Sequence, residues 1–270
     1  MNNGSPRAIP PILRAKYYGA ASVFTPDNLL REARRQKDLP QSPIPDVCIL
    51  DPDGDIVRHL RAVGAAQRVE GWACYHSDMV HFTHGGRDYG IVACAVGASY
   101  AVLLAEQMFV SGCRLLLSIT SSGQIKKLPP PPFFILIERA LRDEGTSYHN
   151  LPADSDYAEA DPALVAAVVP ALAQSDTPVE RGASWTTDAP YRETPEAIEA
   201  ARAEGILAVE MEAAALYAFA QARSKPVLCF AHVTNQMGQL GDFEKGEANG
   251  ATAAIALVHA VADCWLRSLR

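Results

Sequence analysis

Val209-Glu210-Met211-Glu212-Ala213-Ala214-Ala215-Leu216-Tyr217 joins a short apolar strand, Gly205 to Val209, to an alanine-rich helix predicted over Ala213 to Ala222. Glu210 and Glu212 stand two residues apart at this junction, so they need not point the same way. One can face a pocket while the other anchors the backbone. An ionised carboxylate only accepts hydrogen bonds, and it can take both hydroxyls of a ribose cis-diol. Acids at a helix start also favour its dipole, and for this stretch taken alone that simpler reading suffices.

Strands and helices alternate on both sides of the junction. Asp46 to Leu50 predicts a short strand, and Asp51-Pro52-Asp53-Gly54-Asp55 a glycine turn into a helix over Ile56 to Gly64. A turn of that kind aims backbone N–H groups at a ligand, although three aspartates in it would repel an anion. Trp72 to Phe82 and Tyr89 to Val96 read as strands, the second reached through a hairpin turn carried by Gly85-Gly86. Helical spacing covers Ser99 to Ser111, with Gly112 as its cap. The continuous apolar run Arg114 to Ile119 predicts a strand buried on both faces, ending in the hydroxyl-rich turn Thr120-Ser121-Ser122-Gly123. The strand's carboxyl end is where open α/β sheets bind ligands.

Pro129 to Pro132 breaks the chain before a strand over Phe133 to Ile137. A helix over Asp161 to Ala173 and a strand over Val179 to Trp185 follow. Next comes the polar loop Thr186-Thr187-Asp188-Ala189-Pro190-Tyr191-Arg192-Glu193, and Thr194-Pro195-Glu196 opens a helix to Ala203. After the 209–217 junction, Pro226 to Val233 is a strand with the polar exit Thr234-Asn235-Gln236, and Ala248 to Leu269 is a closing helix. The pattern predicts an α/β fold: one domain over residues 46–270, with a mixed central sheet flanked by helices. Residues 1–45, rich in proline and basic side chains, form an extension with a helix begun by Thr25-Pro26-Asp27.

The net charge of -7 provides no basic field for nucleic acid or an anionic membrane. Six scattered cysteines without a C-x-x-C pair read as reduced thiols of a cytoplasmic protein. No apolar run of membrane-spanning length and no signal-peptide pattern is read. No His/Cys/carboxylate spacing supports a metal, and no G-x-S-x-G elbow supports Ser-His-Asp hydrolysis. The histidines are dispersed, and His232, on a strand near the polar exit, reads as an ordinary core or surface residue.

Several of these segments together resemble the nucleoside phosphorylase family, which includes uridine phosphorylase, hexameric purine nucleoside phosphorylase and the methylthioadenosine nucleosidases. The resemblance runs over residues 46–269. Val209-Glu210-Met211-Glu212-Ala213-Ala214 is its most specific part, and it implies that Met211 and Glu212, beside Glu210, hold a ribose. Gly54-Asp55-Ile56-Val57-Arg58 is similar to the family's Gly-Asp-Pro-x-Arg phosphate segment. Ser118-Ile119-Thr120-Ser121-Ser122-Gly123 is similar to Arg-x-Gly-Ser/Thr-x-Gly. Together they imply a phosphate held by Gly54, Arg58 and Ser121. Thr186 to Tyr191 resembles the loop that frames the base, implying base contacts from Thr187, Tyr191 and Arg192 and a supporting role for Asp188. Asn235 stands at the strand exit where purine-specific members place a base-protonating Asp. His76-Ser77-Asp78 looks like a His-Arg-Glu segment shared with a neighbouring subunit, which places His76 near the ribose.

The resemblance implies cleavage of a ribonucleoside's N-glycosidic bond, first of all phosphorolysis to free base and ribose 1-phosphate. It implies catalytic work by Glu212, Asn235 and Asp188, phosphate as possible co-substrate, no other cofactor, and a homo-oligomer, dimer or hexamer. Ser118 and Ser77 stand where the family carries phosphate-binding arginines, and a hydroxyl does not replace a bidentate arginine. A phosphate-independent nucleosidase of the same fold is therefore the rival expectation. A non-catalytic nucleoside-binding member is the third, because fold does not fix function.

Overall fold

The computed structural model describes residues 9–128, 130–173, 175–236 and 244–269. The first eight residues of the expected extension, and Pro129 of the expected break, lie outside them. The chain opens with α1 (Pro26–Lys37), where Pro26 takes the first helical position and the Thr25 hydroxyl accepts from the Asn28 N–H. Its buried residues Leu30 and Ala33 pack with Ala73, so this helix lies on the domain.

Next come β1 (Val47–Asp51), α2 (Asp55–Ala62), β2 (Gln67–Arg68), β3 (Val80–His84), β4 (Arg87–Ala93) and α3 (Ala98–Val110). They are followed by β5 (Leu115–Gln124), β6 (Phe133–Asp143), α4 (Ser147–Asn150), β7 (Tyr157–Glu159), α5 (Pro162–Leu172) and β8 (Val179–Thr187). The chain closes with α6 (Pro195–Ala203), β9 (Ala208–Glu210), α7 (Ala213–Arg223), β10 (Val227–Gln236) and α8 (Ala251–Ser268). The fold is α/β with one mixed sheet flanked by helices. The turn between β3 and β4 has positive φ at both Gly85 and Gly86, the backbone a two-residue hairpin requires.

One path through the sheet runs β10-β6-β8-β9-β5-β1-β4-β3-β2, with β7 paired to β6. Because β10 also pairs with β5, the five strands β5, β10, β6, β8 and β9 close into a ring, and β1, β4, β3 and β2 continue from its β5 side. β1, β4, β5 and β10 run parallel, while β9 runs antiparallel to β5. β1 ends level with the start of the polar half of β5, since Leu50 pairs with Ser118. From Thr120 onward β5 overshoots β1, while β10, paired with it since Leu116, continues alongside and β9 joins at Gly123. The candidate residues Ser121 and Asn235 lie at this overshoot, beside Thr120.

Four sequence expectations change here. Thr120 to Gly123 is not a turn: the ladders to β9 and β10 carry the strand to Gln124. Thr234-Asn235-Gln236 is likewise still strand. Polar residues suggest a strand end when their partners are unknown, but ring closure gives this backbone its hydrogen bonds. Residues 72–79, expected as strand, form an irregular loop in which the Trp72 indole N–H donates to the Ser77 hydroxyl. Finally, α8 with its preceding turn is apolar and long enough to match a membrane span, which the sequence reading had not picked out. Its residues Ile255, Leu257, Val258 and Val261 are buried and it packs on α5 and α2, so it is a core helix.

Candidate active site

The β9–α7 corner explains the two carboxylates. Glu210 is 3% exposed. One oxygen accepts from the Ser184 and Thr186 hydroxyls of β8, and the other from the backbone N–H groups of Glu212 (2.6 Å) and Ala213 (2.7 Å). It therefore satisfies orphan donors at the start of α7 and ties β8 to the corner, an anchoring role. Thr186 extends the tie by accepting from the Ala214 N–H. The alanine run suits this helix because Ala213 to Phe219 are all buried, and small side chains let α7 approach α3 and the sheet closely.

Glu212 points elsewhere. Its Oε1 accepts from the Gly97 N–H (2.7 Å), and its Oε2 from the Thr120 hydroxyl (2.9 Å) and the Met211 N–H (3.3 Å). A carboxylate offers about four acceptor directions, so one on Oε1 remains for a sugar hydroxyl. Glu212 is only 1% exposed, so in this arrangement it is closed off from solvent. Burial, reinforced by the nearby Glu210 charge, pushes the Glu212 carboxyl above the usual carboxylate range, against the pull of its three donors. Met211 beside it is half-buried.

The 51–58 turn does not form the expected anion cradle. The buried Asp51 carboxylate accepts from the N–H groups of Gly54 (3.0 Å) and Val57 (3.0 Å). The Gly54 N–H, expected to hold phosphate, is thus already occupied. Arg58 donates to Asp55 (2.6 Å) and to the Asp53 carbonyl (2.8 Å). Lys245 reaches the same acids, at 2.7 Å from Asp55 and 3.2 Å from Asp53. Burial raises Asp51 to about 6, whereas Lys245 and Arg58 hold Asp55 below its ordinary value despite its burial. The chain's own carboxylates therefore take the cations and amide that an anion would use. Gly54 has φ +75°, and an added Cβ would lie 2.9 Å from the Arg58 guanidinium, so only glycine fits this turn.

His232 lines the far side of this cluster. It is 7% exposed and stacked on Phe134 at 4.8 Å between centroids. Burial, with help from the Lys245 charge and against Asp53 and Asp55, lowers it to about 4. Between pH 4 and the ordinary value near 6.5 the unfolded chain holds the extra proton, so stability rises with pH through that window and is lost on acidification. The His232→Phe variant, which keeps the stack, is expected to lose less stability than wild type between pH 6.5 and 4, by up to about 3 kcal/mol. Thermal midpoints measured across that range check it, and parallel curves would show that His232 contributes nothing to acid sensitivity.

The remaining expected residues divide. Sheet register places Asn235 of β10 beside Gly123 of β5, so Asn235, half-buried, and Ser121 lie on the same overshoot as Glu212's partner Thr120. The base-framing loop is not brought in. Tyr191 is 98% exposed and Arg192 is exposed, so neither stacks on a base in this arrangement. Thr187 is buried and its hydroxyl accepts from the Ala189 N–H, while Asp188 accepts from the Gly145 N–H at 2.9 Å. Both brace the loop. His76 is exposed, and its carbonyl accepts from the Tyr100 hydroxyl.

Sequence reasoning missed Gly97 and Thr120 as partners of Glu212, and Asp51 and Lys245 as partners of the 53–58 turn. The small-residue turn after β4 and the acid closing β1 were visible signals for Gly97 and Asp51. Nothing local marks Lys245, which meets Asp53 and Asp55 only through the fold.

A family model described as the phosphorylase superfamily matches residues 46–263. Among solved structures, the chain is similar to uridine phosphorylase from Vibrio fischeri ES114, with a TM-score of 0.68 and 17% identity over 83% of this chain and 95% of that one. It is also similar to that enzyme complexed with 6-hydroxy-1-naphthoic acid, with a TM-score of 0.63 and 17% identity over 83% and 89%. No curated protein matches the chain.

Proposed function

The chain belongs to the phosphorylase superfamily, and on that premise we propose that it cleaves the N-glycosidic bond of a nucleoside, with water rather than phosphate as the acceptor. The bond from C1′ to the base nitrogen breaks, the water oxygen bonds to C1′, and the base leaves with a proton from the water. Glu212 and Met211 hold the sugar, and Asn235 hydrogen-bonds the departing base. Fixed dipoles aimed at the cationic sugar supply the larger part of the rate.

One observation carries the choice of acceptor: Asp51 occupies the Gly54 N–H, and Asp53 and Asp55 occupy Arg58 and Lys245. An entering phosphate would have to displace carboxylates and face their charge. Phosphorolysis remains the second reading because Arg58 is largely exposed and Ser121 lies on the overshoot, and an anion could recruit both. The proposal includes a cytoplasmic homo-oligomer with His76 contributed to a neighbouring subunit, and it invokes no cofactor.

The test is release of free base from inosine, adenosine and uridine with and without phosphate. Release that does not depend on phosphate is expected. Strict phosphate dependence would move the assignment to phosphorolysis. Binding without release would make the protein a non-catalytic nucleoside-binding member.

A further inference from the structure

Strand β5 carries a feature that its hydrogen bonds do not explain. Ser118, Thr120, Ser122 and Gln124 alternate along one face of the strand, and all four are buried. Thr120 is spent on Glu212, and Ser122 donates to the His232 carbonyl. Gln124 is 3% exposed, yet among the described residues neither its carboxamide oxygen nor its nitrogen has a hydrogen-bond partner. A buried amide costs free energy unless something satisfies it, so a donor–acceptor pair left open in the interior points to an incoming group.

Register says where that group would lie. Gln124 pairs with Ala208 of β9, and Ala208 with Ser184 of β8, so the amide shares a cross-strand row with a hydroxyl that binds Glu210. Along this one face of β5 the order is thus Thr120, which touches the sugar-holding Glu212, then Ser122, then Gln124. Four residues of strand span about 13 Å. A nucleoside gripped by its sugar hydroxyls at Glu212 would turn the far edge of its base toward Gln124.

We propose that the Gln124 carboxamide reads the base, accepting a nucleobase whose edge presents a hydrogen-bond donor beside an acceptor. The inference rests on the nucleoside reading above and assigns its specificity to β5 rather than to the exposed 188–193 loop. The amide donates its N–H to the base's acceptor and accepts from the base's N–H, satisfying both open atoms together.

The test pairs the protein with nucleosides blocked on that edge. Wild type and Gln124→Leu are assayed on uridine against 3-methyluridine, inosine against 1-methylinosine, and adenosine against N6,N6-dimethyladenosine. In wild type, kcat/KM is expected to favour the unblocked member of a cleaved pair by about tenfold or more. In Gln124→Leu the preference collapses towards one. Because Gln124 has no partner among the described residues, the variant should melt at or above the wild-type temperature, so a folding defect does not confuse the comparison. If wild type releases base but the ratio is the same in the variant, the base-reading role is overturned while the nucleoside reading stands. If wild type cleaves none of the six, both fall together.

Discussion

Glu212→Gln is expected to lower kcat/KM for any nucleoside that the wild type cleaves by roughly 10²- to 10³-fold, the scale associated with removing one preorganised electrostatic contact. The substitution keeps shape and volume but takes away the ionisable acceptor. Wild-type Glu212 receives three donors: the Gly97 N–H, the Thr120 hydroxyl and the Met211 N–H. An amide offers one acceptor oxygen, so its NH2 must face at least one of those donors, at a cost of about 1–3 kcal/mol. Melting temperature must therefore be followed beside activity, and the activity loss should far exceed what the small drop in stability explains.

A second readout separates chemistry from packing. Burial and the Glu210 charge raise the Glu212 carboxyl, so its ionised form appears only above the usual carboxylate range. If the charged form grips the sugar, wild-type kcat/KM climbs with pH beyond that range, and the climb disappears in Glu212→Gln. The same shift has the opposite sign for stability. A carboxyl whose folded pKa lies above its unfolded value binds more protons when folded, so its contribution falls as pH rises from 4.5 towards the folded pKa. Full activity in Glu212→Gln, with an unaltered pH profile, would remove Glu212 from the reaction.

Glu210→Ala is expected to be the most damaging substitution for stability, at about 3–5 kcal/mol. It leaves the Ser184 and Thr186 hydroxyls and the N–H groups of Glu212 and Ala213 without an acceptor at a sealed corner. For a chain of this size the melting temperature should fall on the order of 10 °C. Glu210→Gln retains one acceptor oxygen and should lose less. Thermal or urea unfolding decides the matter, and a loss under about 1 kcal/mol would show that the corner is held by α7 packing alone.

The two glutamates show how far local reading goes. That one would anchor the backbone and the other turn elsewhere was legible, because a strand-to-helix junction turns residues two apart in different directions. Which acid did which followed only from the positions of Ser184, Thr186, Gly97 and Thr120 around them. The Thr25 cap and the Gly85-Gly86 hairpin were equally legible, since caps and tight turns depend on three or four neighbouring residues. The polar half of β5 was not, because Thr120-Ser121-Ser122 looks like an exit until the flanking strands are in place. The partners already held by the expected anion-binding groups were hidden for the same reason. Gly54 and Arg58 carry a recognisable spacing, but Asp51, three residues before Gly54, and Lys245, far along the chain, decide whether an anion can use them.

The amino-acid order by itself determined the alternation of strands and helices, their caps and turns, and the family resemblance of the 209–217 junction. These arise from hydrophobic period and backbone preference, which act over a few residues. Only the tertiary structure decided that a five-stranded ring closes through the β5–β10 pairing, that Tyr191 stands in solvent, and that Gln124 is buried without a partner among the described residues. Those outcomes depend on which distant groups share an interior, where an unmet hydrogen bond is costly and an internal carboxylate can take an anion's place.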